Sequence, residues 1–193
     1  MRRFFDKTYY DRFYRDPATR AVTPAASRRQ AEFVAAYLKH LELPVRRILD
    51  IGCGVGTTLR ALGRRFPQAR LEGVEVSDYL CERYGWSHGS VVDYHAGPPF
   101  DLVVCNDVLA YLDDADCGRA IDNLARLSRG AVCLGILTAD DADLYDRTRT
   151  DRRQQLRPAA WYRRRLGRHF VSVGGGLYLK RDVDVVVWTL DRA

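Results

Sequence analysis

The chain has little lysine. Of its 31 basic residues, only Lys7, Lys39 and Lys180 are not arginine. Such a bias accompanies GC-rich genomes, so by itself it is weak evidence for a nucleic-acid partner. No apolar run approaches the ~20 residues of a membrane helix. The start, Met1-Arg2-Arg3-Phe4-Phe5-Asp6, lacks the apolar stretch of a signal peptide. A soluble cytoplasmic protein with no membrane partner is therefore expected. The five cysteines form no Cys-x-x-Cys pair and the four histidines do not cluster near them. That excludes the usual zinc spacings and a disulfide framework, and predicts reduced, buried thiols. There is no internal repeat and no low-complexity linker.

What is present points to one folded domain. At 193 residues the chain can bury a core without covalent staples. A hydrophobic fraction of 47% excludes a disordered chain. The net charge of +6 is unevenly spread: residues 1–47 carry +6, residues 48–144 carry −7 and residues 145–193 carry +7. An acidic middle between basic ends has to be explained.

The middle alternates strand and helix signals. Val45 to Ile51 reads as a buried strand ending at glycines, and Thr57 to Phe66 as a helix closed by Pro67. Arg70 to Val76 is a second strand, and Ser77 caps a short helix to about Arg83. Ser90 to Val92 is a brief third strand, Phe100 to Cys105 a strong fourth and Ala131 to Leu137 a fifth, with a helix over Ala115 to Leu127 between the last two. This order predicts a parallel sheet with helices on both faces. Before it, Ser27 to Leu41 reads as a helix with Phe33, Ala36 and Tyr37 inward. After it come a basic amphipathic helix over Trp161 to Phe170, then Val171-Ser172-Val173 and Leu177-Tyr178-Leu179 flanking three glycines. Val183 to Leu190 reads as a last strand, joined through Lys180-Arg181-Asp182 by a link too short for a parallel crossover. The sheet is thus expected to end antiparallel.

Chemistry concentrates at Asp50-Ile51-Gly52-Cys53-Gly54-Val55-Gly56, a strand-to-helix junction. Glycines there let the backbone turn sharply and approach a ligand closely, and helix amides face it. The spacing is G-x-G-x-G, with Thr57 where a dinucleotide loop has its third glycine. No Gly-Lys-Ser/Thr follows, so it is not a P-loop. Glu75 ends the second strand, 19 residues after Gly56, where a carboxylate can accept from both hydroxyls of a ribose.

On these residues, with Gly73-Val74-Glu75-Val76-Ser77 and Phe100-Asp101-Leu102-Val103-Val104-Cys105-Asn106-Asp107-Val108-Leu109, the chain resembles the class I S-adenosylmethionine-dependent methyltransferases over about residues 45–190. The resemblance implies an α/β three-layer sandwich: a seven-stranded, mostly parallel sheet whose last strand is antiparallel, in a Rossmann-like methyltransferase fold. It implies one domain over 1–193, with an N-terminal cap and helix (1–44), a cofactor-binding core (45–138), a lid and basic helix (139–168) and a terminal hairpin (169–193). It implies S-adenosyl-L-methionine as cofactor. Asp50 and the backbone of Gly52, Cys53, Gly54 and Gly56 would hold the methionine part, Glu75 the ribose, and Val76 would pack on adenine. Asn106 and Asp107 would border the methionine and the acceptor pocket, with Leu109 and Tyr111 on its wall. The family often has Gly-Asp after the third strand; this chain has Gly89-Ser90 and then Asp93. The adenine contact is therefore divided between Ser90, Val91 and Asp93. Another nucleotide, or a loop that has lost activity, is the competing reading of the glycines.

The acceptor is less legible. Tyr9 to Tyr14 is an aromatic segment whose rings suit a sulfonium through cation–π attraction, or serve as a hydrophobic strap; Tyr10 and Tyr14 would share a helix face. Nine arginines between Arg147 and Arg168 can contact nucleic-acid phosphates, capture a small acidic substrate or form a solvated face. Tyr10, Tyr14, His88 and Asp107 are the catalytic candidates, although methyl transfer from an activated donor requires no diagnostic triad. No metal is expected. The favoured reading is methyl transfer to an N or O atom of a small molecule, an anionic one suiting the basic ends, by a monomer or homodimer. A nucleic-acid or protein methyltransferase using the 147–168 stretch, and a non-catalytic cofactor-binding module, are the alternatives.

Overall fold

The computed structural model describes residues 4–20 and 22–188. Seven strands, β1 (Arg47–Ile51), β2 (Arg70–Glu75), β3 (Ser87–His88), β4 (Phe100–Asn106), β5 (Ser128–Gly135), β6 (Phe170–Ser172) and β7 (Leu177–Lys180), form one sheet in the order β3-β2-β1-β4-β5-β7-β6. β7 lies antiparallel between β5 and β6, and the remaining pairings are parallel. The helices are α1 (Lys7–Tyr10), α2 (Pro24–His40), α3 (Thr57–Arg65), α4 (Asp78–Tyr84), α5 (Asp114–Leu127) and α6 (Ala159–Leu166).

Period-two alternation builds the three layers. Leu49, Ile51, Val103 and Cys105 point to the face covered by α5 and α6. Their neighbours Ile48, Leu102 and Val104 point to the face covered by α2 and α3. The five cysteines are free, with Cys53, Cys105, Cys117 and Cys133 buried and Cys81 half-buried. No helix among the described residues is long and apolar enough to cross a membrane, and no group of His, Cys, Asp or Glu there could hold a metal ion.

Three expectations are corrected. The third strand is Ser87–His88, because Ser90 is used in a turn: its carbonyl accepts from Tyr94 N and its hydroxyl from Val92 N. The closing hairpin folds at Gly174–Gly176, not at Lys180–Asp182, and residues 183–188 form no strand; Thr189 and Leu190 lie outside the described residues. The three glycines all have positive φ, and at Gly176 a Cβ would lie 2.3 Å from the Leu134 carbonyl. Finally, α2 buries the small stripe Ser27, Ala31, Val34, Ala35 and Leu38, leaving Ala36 exposed and Tyr37 half-buried. Phe33 is 41% exposed and lies over Gly175, where a Cβ would meet its ring at 2.5 Å.

Candidate active site

The carboxyl ends of β1, β2 and β4 meet at one opening, and the backbone that follows each strand shapes it. After β1, Gly52, Gly54 and Gly56 have φ of +75°, +53° and +71°, values that other residues rarely adopt. The amides of Gly52 and Cys53 both donate to the Val74 carbonyl, at 2.8 and 3.1 Å, folding the loop over the end of β2. Gly56 is the N-cap of α3. Trp86 braces the loop from behind. Its Nε1 donates to the Gly54 carbonyl at 3.0 Å, and a Cβ at Gly56 or Gly73 would lie 2.5 or 2.6 Å from its ring. No pattern around Trp86 in the sequence signals this contact.

Two carboxylates are buried beside the loop. Glu75 accepts from the amides of Gly54 (2.9 Å), Val76 (2.8 Å) and Ser77 (3.2 Å). Burial raises its pKa, and these donors restrain the rise. Asp50 ends β1. Burial, and then the charge of Glu75, push it up to about 7 against the amide of Leu59.

Asp107 follows β4 with φ +57°, in the left-handed region that Asp tolerates better than most side chains. Its amide is held by the Gly135 carbonyl at 2.8 Å. Its carboxylate has no hydrogen-bond or ion-pair partner among the described residues, and burial alone pushes it up to about 6. Asn106 and Gln30 of α2 bind each other reciprocally. Asn106 Nδ2 donates to Gln30 Oε1 at 2.9 Å, and Gln30 Nε2 to Asn106 Oδ1 at 3.4 Å. Gln30 is a site residue that α2's helical pattern does not distinguish from a solvated one.

The three carboxylates, Asn106, Gln30 and, from the loop, Gly52 and Cys53 line two adjoining lobes that share Tyr14, Gly52, Asn106 and Asp107, whereas the predicted Gly54 and Gly56 line neither. The first, about 590 Å³ measured to its open mouth, runs past Glu75, Val76, Ser90 and Val91. The second, about 880 Å³, runs past Asp50, Cys53, Thr57 and Gln30. No lysine or arginine is among the described residues lining either lobe.

The roof is aromatic. α1 runs into a π-helical turn over Asp11–Arg15, closed by Asp16 N donating to the Asp11 carbonyl at 2.8 Å. Tyr10 and Tyr14 do share a face, with ring centroids 5.3 Å apart. Tyr14 lies over Gly54, 3.5 Å from where a Cβ would stand. Burial, then the charges of Asp107 and Glu75, push its phenol well up. Tyr9 meets Tyr111 hydroxyl to hydroxyl at 3.0 Å. Arg15 fastens the segment to α4 through the Tyr79 hydroxyl at 3.0 Å.

Other predicted positions fall outside. Leu109 is fully buried beneath the wall, which Val108, Tyr111 and Leu112 form instead. His88 is exposed at the end of β3, 3.3 Å from Asp78, and lines neither lobe. Asp93 is exposed and also outside the lining, whereas Ser90 and Val91 are part of it. Four of the nine arginines are occupied internally. Buried Arg157 pairs with Asp114 at 2.6 Å and donates to the carbonyls of Leu109 and Leu112. Arg153 pairs with Asp151 at 2.8 Å, Arg149 with Asp146 at 3.4 Å, and Arg165 stacks 3.5 Å from the Trp161 ring centroid.

Known proteins are similar to this chain in sequence or in fold. A trans-aconitate 2-methyltransferase of Pseudomonas paraeruginosa is 33% identical over 109 residues, covering 52% of this chain and 39% of that protein. A malonyl-[acyl-carrier protein] O-methyltransferase of Legionella pneumophila is 30% identical over 112 residues, with the same coverage of 52% and 39%. The match thus spans about two-fifths of the length of these curated relatives. The magnesium protoporphyrin IX methyltransferase of Synechocystis, solved with S-adenosylhomocysteine, superposes over 93% of this chain and 95% of its own, with a TM-score of 0.64 at 20% identity, a likeness of fold. A sugar N-methyltransferase from Streptoalloteichus is 29% identical, with a TM-score of 0.54 over 68% of this chain and 55% of its own. The family model described as a methyltransferase domain matches residues 9–181, from the aromatic roof to the closing hairpin. The chain belongs to the methyltransferase-domain family.

Proposed function

We propose that this chain binds S-adenosylmethionine in the two-lobed cleft and transfers its methyl group to an N or O atom of a small molecule. The carrying observation is Glu75: a buried carboxylate, fixed by three backbone amides, facing the cleft beside a glycine loop. A carboxylate has about four acceptor sites, so Glu75, with three amides bound, keeps one oriented toward a hydroxyl donor. Val76 and Val91 give the same lobe apolar surface for adenine. Asp50 and the Gly52 and Cys53 backbone line the lobe suited to the methionine part.

When bound, the cofactor supplies a methyl group already activated on a sulfonium sulfur. The chain's own residues then position and desolvate. The glycine loop and Glu75 fix orientation, and the aromatic roof excludes water and presents π-faces to positive charge. The small-molecule reading is supported by the arginines: Arg149, Arg153, Arg157 and Arg165 hold the 139–168 segment together instead of forming a free phosphate-binding row. Calorimetry with S-adenosylhomocysteine tests the core of this reading. Saturable one-to-one binding is expected, and no binding at millimolar ligand would overturn it.

A further inference from the structure

One polar side chain bears on the cleft without lining it. Asn123 is 1% exposed and stands on the inner face of α5 beside Ala120, Ile121 and Leu124. An apolar residue would suit that face, and asparagine is a poorer helix former than alanine or leucine. A buried amide is also costly unless it is hydrogen-bonded. Asn123 uses both of its N–H groups on one loop. Its Nδ2 donates to the Val91 carbonyl at 2.9 Å and to the Tyr94 carbonyl at 3.0 Å.

That loop joins β3 to β4 and is fixed at both ends. At its start the Gly89 amide donates to the Glu75 carbonyl at 3.0 Å, on the residue proposed for the ribose. Gly89 has no room for a side chain, since a Cβ would lie 2.7 Å from the Tyr94 ring. Further on, a turn closes on the Ser90 carbonyl, which accepts from Tyr94 N at 2.8 Å, and the Tyr94 hydroxyl donates to Glu72. Between these ties Gly89, Ser90 and Val91 line the first lobe. Asn123 is the polar group that holds the Val91 carbonyl among the described residues.

With Asp93 outside the lining, the loop brings no carboxylate to the lobe. What it has left is weighted to donors. The amides of Ser90 and Val91 donate to nothing among the described residues. The Ser90 hydroxyl oxygen accepts from Val92 N at 3.2 Å, and its O–H is uncommitted. Two of the loop's carbonyls are held by Asn123 toward α5. Donors beside Val76 suit a base whose ring nitrogen is an acceptor. Adenine presents such a nitrogen on the edge that carries its amino group; hypoxanthine presents an N–H and a carbonyl there.

Resting on the methyltransferase reading above, we infer that Asn123 is a positioning residue for base recognition. By holding Val91 and Tyr94 it sets where Ser90 and Val91 meet the base of the cofactor, and with that the preference for adenine. It lines neither lobe and acts through the loop alone.

The test is calorimetry on the full chain with S-adenosylhomocysteine and with S-inosylhomocysteine, in which hypoxanthine replaces adenine. Wild type should bind the adenine ligand at least about tenfold more tightly, the effect of one hydrogen bond gained against one left unmade. Asn123→Ala should cut that preference to about threefold or less, with affinity for the hypoxanthine ligand held within about threefold of wild type. A preference unchanged in Asn123→Ala, whether both affinities fall together or neither moves, overturns the inference. So does a wild-type chain that does not distinguish the two bases. Absence of S-adenosylhomocysteine binding to wild type would instead overturn the methyltransferase reading itself. Should Asn123→Ala fail to fold, the side-chain amide resonances of Asn123 in the wild-type chain decide. S-adenosylhomocysteine should shift them, and S-ribosylhomocysteine, which has no base, should not. Resonances that move with neither ligand, or equally with both, overturn the inference.

Discussion

β4 has an aspartate at each end, and the two are built in opposite ways. Asp101, at the amino end, is fully answered. It accepts from the amides of Arg46 and Arg47 at 2.8 Å each and from Arg129 Nε at 2.6 Å. Burial alone would raise its pKa, but Arg129 and the two amides more than reverse that and hold it below the ordinary carboxylate value. Asp107, just past the carboxyl end, has no such partners and is pushed up by burial. Asp50 and Glu75, at the carboxyl ends of the neighbouring strands, are raised as well. The amino end of the sheet thus uses its charge for stability. The carboxyl end keeps charge under unfavourable conditions that a ligand can relieve.

The contrast can be broken at several points. The largest effect is expected at Glu75. Replacing it by Ala should weaken S-adenosylhomocysteine binding about a hundredfold in calorimetry, about 3 kcal/mol, the upper range for one charge-assisted hydrogen bond. Asp101→Ala comes next. It leaves two amides and Arg129 without their acceptor and should destabilise the fold by about 2–3 kcal/mol in urea unfolding. Affinity of the folded fraction for S-adenosylhomocysteine should stay at the wild-type value; a variant that is stable but cannot bind would reverse the assignment of the two ends.

Asp50→Asn should act the other way, stabilising the ligand-free protein by roughly 1–2 kcal/mol at pH 8. Asparagine keeps the shape of the side chain and removes the cost of a buried charge. A lower melting temperature for this variant would show that Asp50 is structural. The smallest step is in pH, about 1 kcal/mol per pH unit for each carboxylate. Asp101 has a lowered folded pKa, so its contribution is present above the unfolded value and is lost as pH falls through the folded one. Asp50 and Asp107 have raised folded values, about 7 and about 6, from an ordinary 3.8. Between about pH 4 and those values the folded protein holds protons that the unfolded chain has released, so stability declines as pH rises across that window. The decline should flatten in Asp50→Asn/Asp107→Asn, and equal slopes in variant and wild type would show that these carboxylates do not carry it.

The parts of the molecule written in local sequence were the legible ones. The glycine loop, the buried strands around it and the acid at the end of β2 are local patterns, and the family resemblance rests on them. The same holds for the antiparallel ending, although it was expected one link too late: Gly174–Gly176 is itself the turn, which a separation into two short strands flanking glycines already permitted. What escaped depends on contacts distant in sequence. Phe33 looks like a core residue by type, yet α2 packs through small residues and leaves that ring to cover a glycine turn over 140 positions away. Gln30 and Trp86 become site residues only when α2 and the β2–β3 region fold back on the loop. His88 stood out by its type and its nearness in sequence to the loop, but β3 places it on the exposed edge with Asp78.

The π-helical turn at Asp11–Arg15 holds one residue more than an α-turn would. Deleting a single residue there would restore α geometry and rotate everything before it by about 100° around the helix axis. Tyr9 and Phe5 would swing away from Tyr111, while Tyr14 kept its place over Gly54. The roof therefore consists of two panels set to a common angle by the count of residues in one short turn, and a change of length would unset them where a change of side chain would not.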